Sequence, residues 1–233
     1  MFEEIYRSGV YLEANPTWHV EASPLKAGQI LKMLQRNDIT PATVCEVGCG
    51  VGEILAQLQK QMDSSCSFCG YEISPQAFAL ARERANERLH FKLADFSQED
   101  AFFDLVLLID MIEHVENCFG FLRAIKSKGE YKMIQFALDL TVGALLRPNS
   151  LLGFRSTHGH VGHVHYFTKN IALATLEDLG YEVIDHFYTP LPPPGQVTLK
   201  DKLLRIPRKL LYGINEDFAV RFIGGYKLLV LAR

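Results

Sequence analysis

The sequence predicts an α/β protein in which helices cover both faces of a doubly wound, mostly parallel sheet. Short apolar runs alternate with helical patterns between residues 25 and 140, as in consecutive βαβ units. The run at residues 103–109 is almost entirely apolar, which is typical of a strand buried on both faces. A chain of 233 residues is long enough for one such domain with added elements.

The expected elements follow in order along the chain. Ser23 and Pro24 predict a helix start, with the serine as N-cap, and residues 25–34 continue it at helical spacing. Strands are expected at residues 43–47, 67–72, 90–94, 103–109, 131–140, 181–188 and 226–232. Helices are expected at residues 53–62, 75–88 and 119–126, and between a capping Thr168 and a terminating Gly180. A loop at residues 146–164 and a turn at residues 191–195 separate the later elements.

Composition excludes several classes of protein. The net charge of −3 gives no general attraction to nucleic acid. No apolar run reaches the ~18 residues of a membrane span, and the first residues do not read as a secretory signal. The five cysteines are an odd number and indicate reduced thiols. We therefore expect a cytoplasmic protein, either a monomer or a homodimer.

The turn after the first strand carries three glycines, Gly48, Gly50 and Gly52. Glycines at this spacing allow positive φ and leave bare backbone against which a ligand can lie, with helix N–H groups facing its negative end. A dinucleotide pyrophosphate and an amino-acid carboxylate both fit that geometry. Glu53 occupies the place of the third glycine in the dinucleotide pattern, which argues against an NAD-dependent oxidoreductase.

Acidic residues at the strand ends narrow the choice of ligand. Glu46 precedes the glycines and favours a ligand that carries an ammonium group over a pyrophosphate. Glu72 ends the second strand, where an acid can accept both hydroxyls of a ribose. Asp95 and Phe96 follow the third strand, where an acid and an aromatic ring suit an adenine base.

Together these motifs resemble the class I S-adenosylmethionine (SAM)-dependent methyltransferases. Residues 46–52 resemble their first motif, and residues 110–115 (DMIEHV) resemble the run after strand four in the type 11, 12 and 23 subgroup. Residues 163–168 (HVHYFT) resemble a later element of that subgroup. The resemblance implies a Rossmann-like, seven-stranded sheet with an antiparallel final strand, SAM as cofactor and S-adenosylhomocysteine as product.

The resemblance also implies a role for individual residues. The cofactor-binding set it indicates is Glu46, Gly48, Cys49, Gly50, Gly52, Glu72, Ile73, Asp95, Phe96, Asp110 and Met111. We expect a single domain in which residues 1–24 form a lid, residues 25–140 the SAM-binding core, and residues 141–233 the acceptor side. Tyr11, Trp18 and His19 are the lid residues expected to exclude water.

A hydroxyl acceptor needs a base, and histidine is the natural candidate. His114 lies at the carboxyl end of strand four, where doubly wound sheets open to ligands, and is the first candidate. His163, in the later loop, is the second. The expected acceptor is a small molecule or a sugar-containing metabolite, methylated at oxygen. An RNA or protein methyltransferase, or a SAM-binding module without turnover, remains the alternative.

Two further patterns have a plain interpretation beside a functional one. The loop at residues 158–165 holds four histidines, but its glycines and the lack of a nearby acid favour a flexible loop, and we expect no metal. The basic amphipathic stretch at residues 199–211 is expected to pack its leucines on the sheet. Weak contact with a membrane surface or an anionic substrate is the alternative for that stretch.

Overall fold

The protein is described by a computed structural model that covers residues 4–9, 17–18, 20–147, 149–151, 162–190 and 199–233. The strands are β1 Thr43–Val47, β2 Ser67–Glu72, β3 Leu89–Leu93, β4 Phe103–Leu108, β5 Gly129–Ala137, β6 Val183–Pro190 and β7 Tyr226–Ala232. The helices are α1 Glu4–Arg7, α2 Ser23–Arg36, α3 Glu53–Gln59, α4 Pro75–Arg82, α5 Cys118–Ile125, α6 Val142–Leu145, α7 Lys169–Asp178, α8 Leu199–Ile214 and α9 Glu216–Ile223.

The seven strands form one sheet in the order β3-β2-β1-β4-β5-β7-β6. Pairing is parallel from β3 through β5, whereas β7 runs antiparallel to both of its neighbours. The strand order reverses direction at β1 and β4, and ligands of doubly wound sheets bind at the carboxyl ends of strands at such a point. The predicted fold class, with its antiparallel final strand, is confirmed.

The core lies on both faces of the sheet, which explains why β4 reads as a continuous apolar run. Val106 and Leu108 belong to the cluster on one face, which includes residues of α5 and α7. Leu105 and Leu107 belong to the cluster on the other face, which includes residues of α2 and α3. All four side chains are fully buried, so β4 is rigid and fixes the position of the loop that follows it.

Several predicted boundaries differ from the structure for local reasons. Ser23 is the first residue of α2 and not its cap; Ala22 holds the cap position after a short 3₁₀ turn and makes no side-chain capping bond. Helix α4 ends at Arg82, earlier than predicted, because Asn86 reverses the chain and its side chain accepts the N–H of Arg88. Thr168 caps α7 as expected, through the N–H of Ile171.

The last third of the chain contains two helices that the sequence only partly indicates. Helix α8 covers the predicted amphipathic stretch, but Leu210 is 65% exposed, so the expectation that its leucines pack on the sheet is wrong for this leucine; Ile206 is also 70% exposed. Helix α9 is absent from the sequence-based expectations; Asn215 caps it through the N–H of Phe218. The predicted turn at residues 191–195 lies outside the described residues. No helix in the described part of the chain is long and apolar enough to cross a membrane.

Candidate active site

One large cavity opens at the carboxyl ends of β1, β2 and β4, with a volume of about 490 Å³. Its walls contain every predicted site residue except Gly52, and these are Glu46, Gly48, Cys49, Gly50, Glu72, Ile73, Asp95, Phe96, Asp110, Met111, His114 and His163. Residues that lie far apart in the sequence are therefore brought to a single place, as expected for the point where strand order reverses.

The glycine loop is held by backbone hydrogen bonds to the neighbouring strand. The N–H groups of Gly48 and Cys49 both donate to the carbonyl of Tyr71, at 2.8 and 3.1 Å. Gly48 and Gly50 have φ of 68° and 55°, in the left-handed region that favours glycine. A side chain at Gly50 would lie 3.5 Å from the ring of Trp18, so the loop runs beneath the N-terminal segment.

Gly52 differs from the other two glycines. It has φ of 77° and starts α3, but it does not line the cavity. A Cβ at this position would lie 2.4 Å from the ring of Phe91, so the absence of a side chain serves the packing of the helix start against β3. The structure thus gives this glycine a packing role, and the expectation that Gly52 contacts the cofactor stays a prediction.

Glu72 is buried and ties the glycine loop to the end of β2. One carboxylate oxygen accepts the N–H of Gly50 at 2.8 Å, and the other accepts the N–H groups of Ile73 and Ser74 at 2.8 Å each. Burial raises the pKa of Glu72, and these three bonds oppose the rise. An ionised carboxylate has about four acceptor positions, so the predicted bonds to ribose hydroxyls would have to share the oxygens with this backbone network.

Glu46 is almost completely enclosed, with 1% of its surface exposed. Among the described residues, none forms a hydrogen bond with its Oε2 atom. Burial raises the pKa of Glu46 to about 8, with Glu72 and Asp110 adding to the rise and Lys26 opposing it. A buried carboxyl group without a hydrogen-bond partner is costly, so a cationic group that entered the cavity beside Glu46 would be stabilised there.

Asp95 and Phe96, the residues predicted to hold the adenine, both line the cavity but differ in exposure. Asp95 is exposed, and its side chain accepts the N–H of Ser97 at 2.9 Å, which caps a short 3₁₀ turn. Phe96 is 1% exposed because its ring packs against Tyr71, with centroids 4.9 Å apart, and against Phe103. Phe96 is therefore part of the core as well as of the cavity wall.

Asp110 sits between two lysines that the sequence analysis does not single out. Lys26, from α2, lies 2.9 Å from Oδ2, and Lys227, from β7, contacts Oδ1. Burial by itself would raise the pKa of Asp110, but the two ammonium groups outweigh it and hold the pKa below its ordinary value. Asp110 also has φ of 53°, rare for a residue other than glycine. Its partners are distant in sequence, so no local pattern indicates this bridge.

A second cluster lies beyond Asp110, around His114 and His163. The Nδ1 atom of His163 lies 2.5 Å from Oδ2 of Asp139, and its Nε2 atom lies 3.9 Å from Oε1 of Glu113. The rings of His114 and His163 meet edge to face, with centroids 4.8 Å apart. Glu113 is fully buried and accepts no side-chain hydrogen bond from the described residues. Burial and the charge of Asp110 raise its pKa.

Hydrogen bonds and burial limit the ability of His114 to act as a base. The hydroxyl of Tyr6 lies 3.0 Å from its Nδ1 atom, and the ring also bonds the backbone of Gly162. Burial, together with the neighbouring His163, lowers the pKa of His114 to about 4. The imidazole of His114 is therefore neutral across the physiological pH range, and it is a weak base.

Glu113, His114 and His163 bring potential ligand atoms within 4.8 Å of one another and are the candidate metal ligands in the described part of the chain. The bonds of His114 to Tyr6 and Gly162 compete with coordination, because a protonated ring nitrogen has no lone pair for an ion. The expectation of no metal stays a prediction. His158 and His160 of the same loop, like Tyr11 and His19 of the N-terminal segment, lie outside the described residues.

Comparison with known proteins agrees with this geometry. A magnesium protoporphyrin IX methyltransferase from Synechocystis PCC 6803, solved with bound S-adenosylhomocysteine, superposes with a TM-score of 0.60 at 16% identity. That match covers 90% of this chain and 81% of the other. A protein solved in complex with the Haloferax volcanii Trm112 methyltransferase activator gives a TM-score of 0.62 at 14% identity, covering 97% and 94% of the two chains. At these identities the likeness shows the fold.

Sequence relatives point to the same family. Norajmaline N-methyltransferase of Rauvolfia serpentina is 33% identical over 91 residues, which is 36% of this chain. The match spans 30% of that relative's length. The methyltransferase domain family matches residues 21–186, which is more than half of the chain and includes the glycine loop, Asp110 and His163. The chain therefore belongs to the methyltransferase domain family.

Proposed function

We propose that this protein transfers a methyl group from SAM to an oxygen atom of a small-molecule or sugar-containing acceptor. The single observation that carries the proposal is that one cavity contains both the glycine loop and the histidine cluster. A site for a nucleoside with a charged amino-acid tail thus opens directly onto a group that can take a proton.

The residues in and around the glycine loop carry chemical groups that match the parts of SAM. Gly48 and Gly50 have no Cβ, so the methionine part of SAM would lie directly against their backbone. Glu46 has a buried oxygen without a hydrogen-bond partner among the described residues, which would accept the ammonium group of the same tail. Glu72 and Asp95 would hold the ribose and the base. When bound, SAM supplies a methyl group attached to a sulfonium.

His163 is the residue we propose as the base. Asp139 lies 2.5 Å from Nδ1 and fixes the orientation of the ring, so that Nε2 faces Glu113 and the cavity. This is the arrangement by which a carboxylate sets the tautomer of a catalytic histidine. The proposed order of the two histidines is the reverse of the one expected from sequence, because Asp139 orients His163, whereas a pKa of about 4 makes His114 a weak base.

The far wall of the cavity gives the acceptor its own polar contacts. Gln135 is 4% exposed; its Nε2 atom donates to Thr189, whereas its Oε1 atom has no partner among the described residues. Gln135, Thr189 and Lys227 all line the cavity. A carbonyl oxygen of this kind is satisfied by a hydroxyl donor, which favours acceptors that carry more than one hydroxyl group.

We further propose the division of labour along the chain that the sequence suggests. Residues 1–24 act as a lid, which is supported by Tyr6 and Trp18, both of which line the cavity. Residues 25–140 supply the SAM side, through Lys26, Glu46, Glu72 and Asp110, and also contribute Gln135 to the acceptor side. Residues 141–233 supply the acceptor side, through His163 and Lys227.

The experiment that tests the function uses purified protein, SAM labelled at the methyl group, and a panel of phenols, sugars, lipid-linked sugars, RNA and protein. Product is identified by mass spectrometry, and the methylated atom by base-catalysed hydrolysis and NMR. We expect transfer to a hydroxyl-bearing acceptor, with production of S-adenosylhomocysteine in equal amount. Activity that is found only with RNA or protein would overturn the acceptor class, and SAM binding without turnover on any acceptor would leave a binding module in its place.

A further inference from the structure

The exposed face of α8 carries an apolar stripe. Ile206, Leu210 and Ile214 are 70%, 65% and 82% exposed and follow each other at intervals of four residues. Side chains four residues apart lie on the same face of a helix. Exposed single apolar residues are ordinary on a protein surface, but three large ones in register on one helix are the pattern of a face that contacts something.

The helix that follows extends the apolar surface. Phe218 and Phe222 of α9 are 46% and 42% exposed, and their rings stack with centroids 4.2 Å apart. Helix α9 packs against both α8 and α6, and Leu145 and Leu146 at the end of α6 are also exposed. Aromatic and aliphatic side chains are thus concentrated in one part of the fold.

The same part of the chain is strongly basic. Residues 199–211 contain five basic residues, Lys200, Lys202, Arg205, Arg208 and Lys209, and one acidic residue, Asp201. Their sum is +4, whereas the whole chain has a net charge of −3. The positive charge is therefore local to α8, and it marks this helix as the part of the molecule that attracts an anionic surface.

We propose that α8 and α9 bind the surface of an anionic membrane. A helix with basic residues and an apolar stripe lies in the plane of a bilayer, with its apolar side chains between the headgroups and its charges near anionic lipid. Charge complementarity selects this occupant over a second copy of the chain, because residues 199–211 of a second copy carry the same net positive charge and would repel the first. This inference goes beyond methyl transfer and does not depend on it.

Helix α8 contacts the start of β7, the strand that carries Lys227 of the cavity wall. Tyr212 of α8 stacks on Tyr226 at the start of β7, with ring centroids 5.0 Å apart, and the next residue, Lys227, lines the cavity. Helix α8 is therefore anchored at the acceptor side. Resting on the proposed function, this suggests that the acceptor is presented at a lipid surface, so that membrane contact raises its local concentration.

The test is co-sedimentation of the full chain with vesicles of phosphatidylcholine alone or of phosphatidylcholine mixed with phosphatidylglycerol. We expect binding to the mixed vesicles that weakens as salt is added, and little binding to the neutral ones. The triple variant I206S/L210S/I214S and the triple variant K202Q/R205Q/K209Q should each weaken binding at least about tenfold. The control is F102S, which removes a side chain that is 62% exposed outside α8 and α9 and should not change binding.

Equal binding to both kinds of vesicle, no binding to either, or full binding by the basic triple variant would overturn the proposal. The urea midpoint of each variant shows whether it is folded, and the basic triple variant keeps the test valid if the apolar one is not. Light scattering of the wild type shows whether the chain is a monomer or a dimer. A dimer that the apolar triple variant abolishes would identify a second copy as the occupant and would also overturn the proposal.

Discussion

The Nδ1 atom of His163 lies 2.5 Å from a carboxylate oxygen of Asp139, so the imidazole is held by an acid that lies two residues beyond the end of β5. This contact joins the loop before α7 to the end of β5 and leaves the other ring nitrogen on the side of Glu113, in a residue that lines the cavity. The relationship underlies the proposed chemistry, because it gives one of the two histidines a defined tautomer.

Replacing His163 by Asn should lower kcat by about 10²–10⁴-fold and leave SAM affinity nearly unchanged, because a general base contributes only to the chemical step. Asp139→Asn should lower kcat by a smaller factor and alter its pH profile, since the acid acts through the ring. His90→Asn, at an exposed histidine on β3, is the control and should be fully active. Steady-state kinetics measure these changes in kcat. Full activity of His163→Asn would show that His163 is not the base.

Glu46 should release a proton when SAM binds. Its pKa of about 8 keeps it protonated in the free protein at pH 7, and an ammonium group beside it favours the ionised form. Calorimetric titration in buffers of different ionisation enthalpy measures the released proton directly. Glu46→Gln should release none at this position. Identical proton release by wild type and variant would show that the ammonium group is bound elsewhere.

The same shift predicts how stability depends on pH. The pKa of Glu46 is raised on folding, so its contribution is fully present below the unfolded value near 4.5 and is lost as pH rises toward 8. The Glu46→Gln variant has no ionisable group at this position. Its free energy of unfolding should therefore exceed that of wild type at pH 7.5, by about 4 kcal/mol at most, but not at pH 4. Urea unfolding at both pH values measures the difference; a difference independent of pH would contradict the burial of an ionisable group at this position.

Asp110→Asn should destabilise the protein by about 3 kcal/mol, because it leaves the ammonium groups of Lys26 and Lys227 without their common anion in a largely enclosed site. Urea unfolding gives the value. Glu177→Gln, at an exposed acid on α7, is the control and should leave the midpoint where it is. If both variants behaved alike, the bridge would contribute nothing to folding.

Two glycines should respond in opposite directions to the same substitution. Gly52→Ala should destabilise by more than about 1 kcal/mol, because φ is 77° and the new Cβ would meet the ring of Phe91. Gly28 lies within α2, and a methyl group added there would meet no neighbouring group within 4 Å, so Gly28→Ala should stabilise by about 0.5–1 kcal/mol. Thermal unfolding compares the two, and a shift of the same sign in both would contradict the packing assigned to Gly52.

Sequence patterns are sufficient to predict the sheet and to predict which strand-end residues meet at the cavity. Strands β1, β2 and β7 have the bounds that the patterns predict, because apolar runs and the glycine turn are local signals. Glu46 and Glu72 are identified by their places at strand ends, and Asp110 by the resemblance of residues 110–115 to a family motif; all three lie where the carboxyl ends of the strands meet. The meeting of these residues could be predicted because the carboxyl ends of parallel strands lie at the same edge of a sheet.

The other half of the site cannot be predicted in this way, because it is built from contacts between distant elements. Lys227 meets Asp110 across 117 positions, and Asp139 meets His163 across 24. Neither pairing has a spacing that a pattern can detect. The choice between His114 and His163 depends on hydrogen-bond partners and burial, which exist only in the folded chain.

The central claim is that the cavity at the glycine loop binds SAM, and calorimetric titration of the purified protein with SAM tests it most directly. We predict saturable binding of SAM and S-adenosylhomocysteine, no binding of NAD, and loss of SAM affinity in the Glu46→Gln and Asp95→Ala variants. Absence of SAM binding at millimolar concentration, or binding that neither variant weakens, would contradict the account.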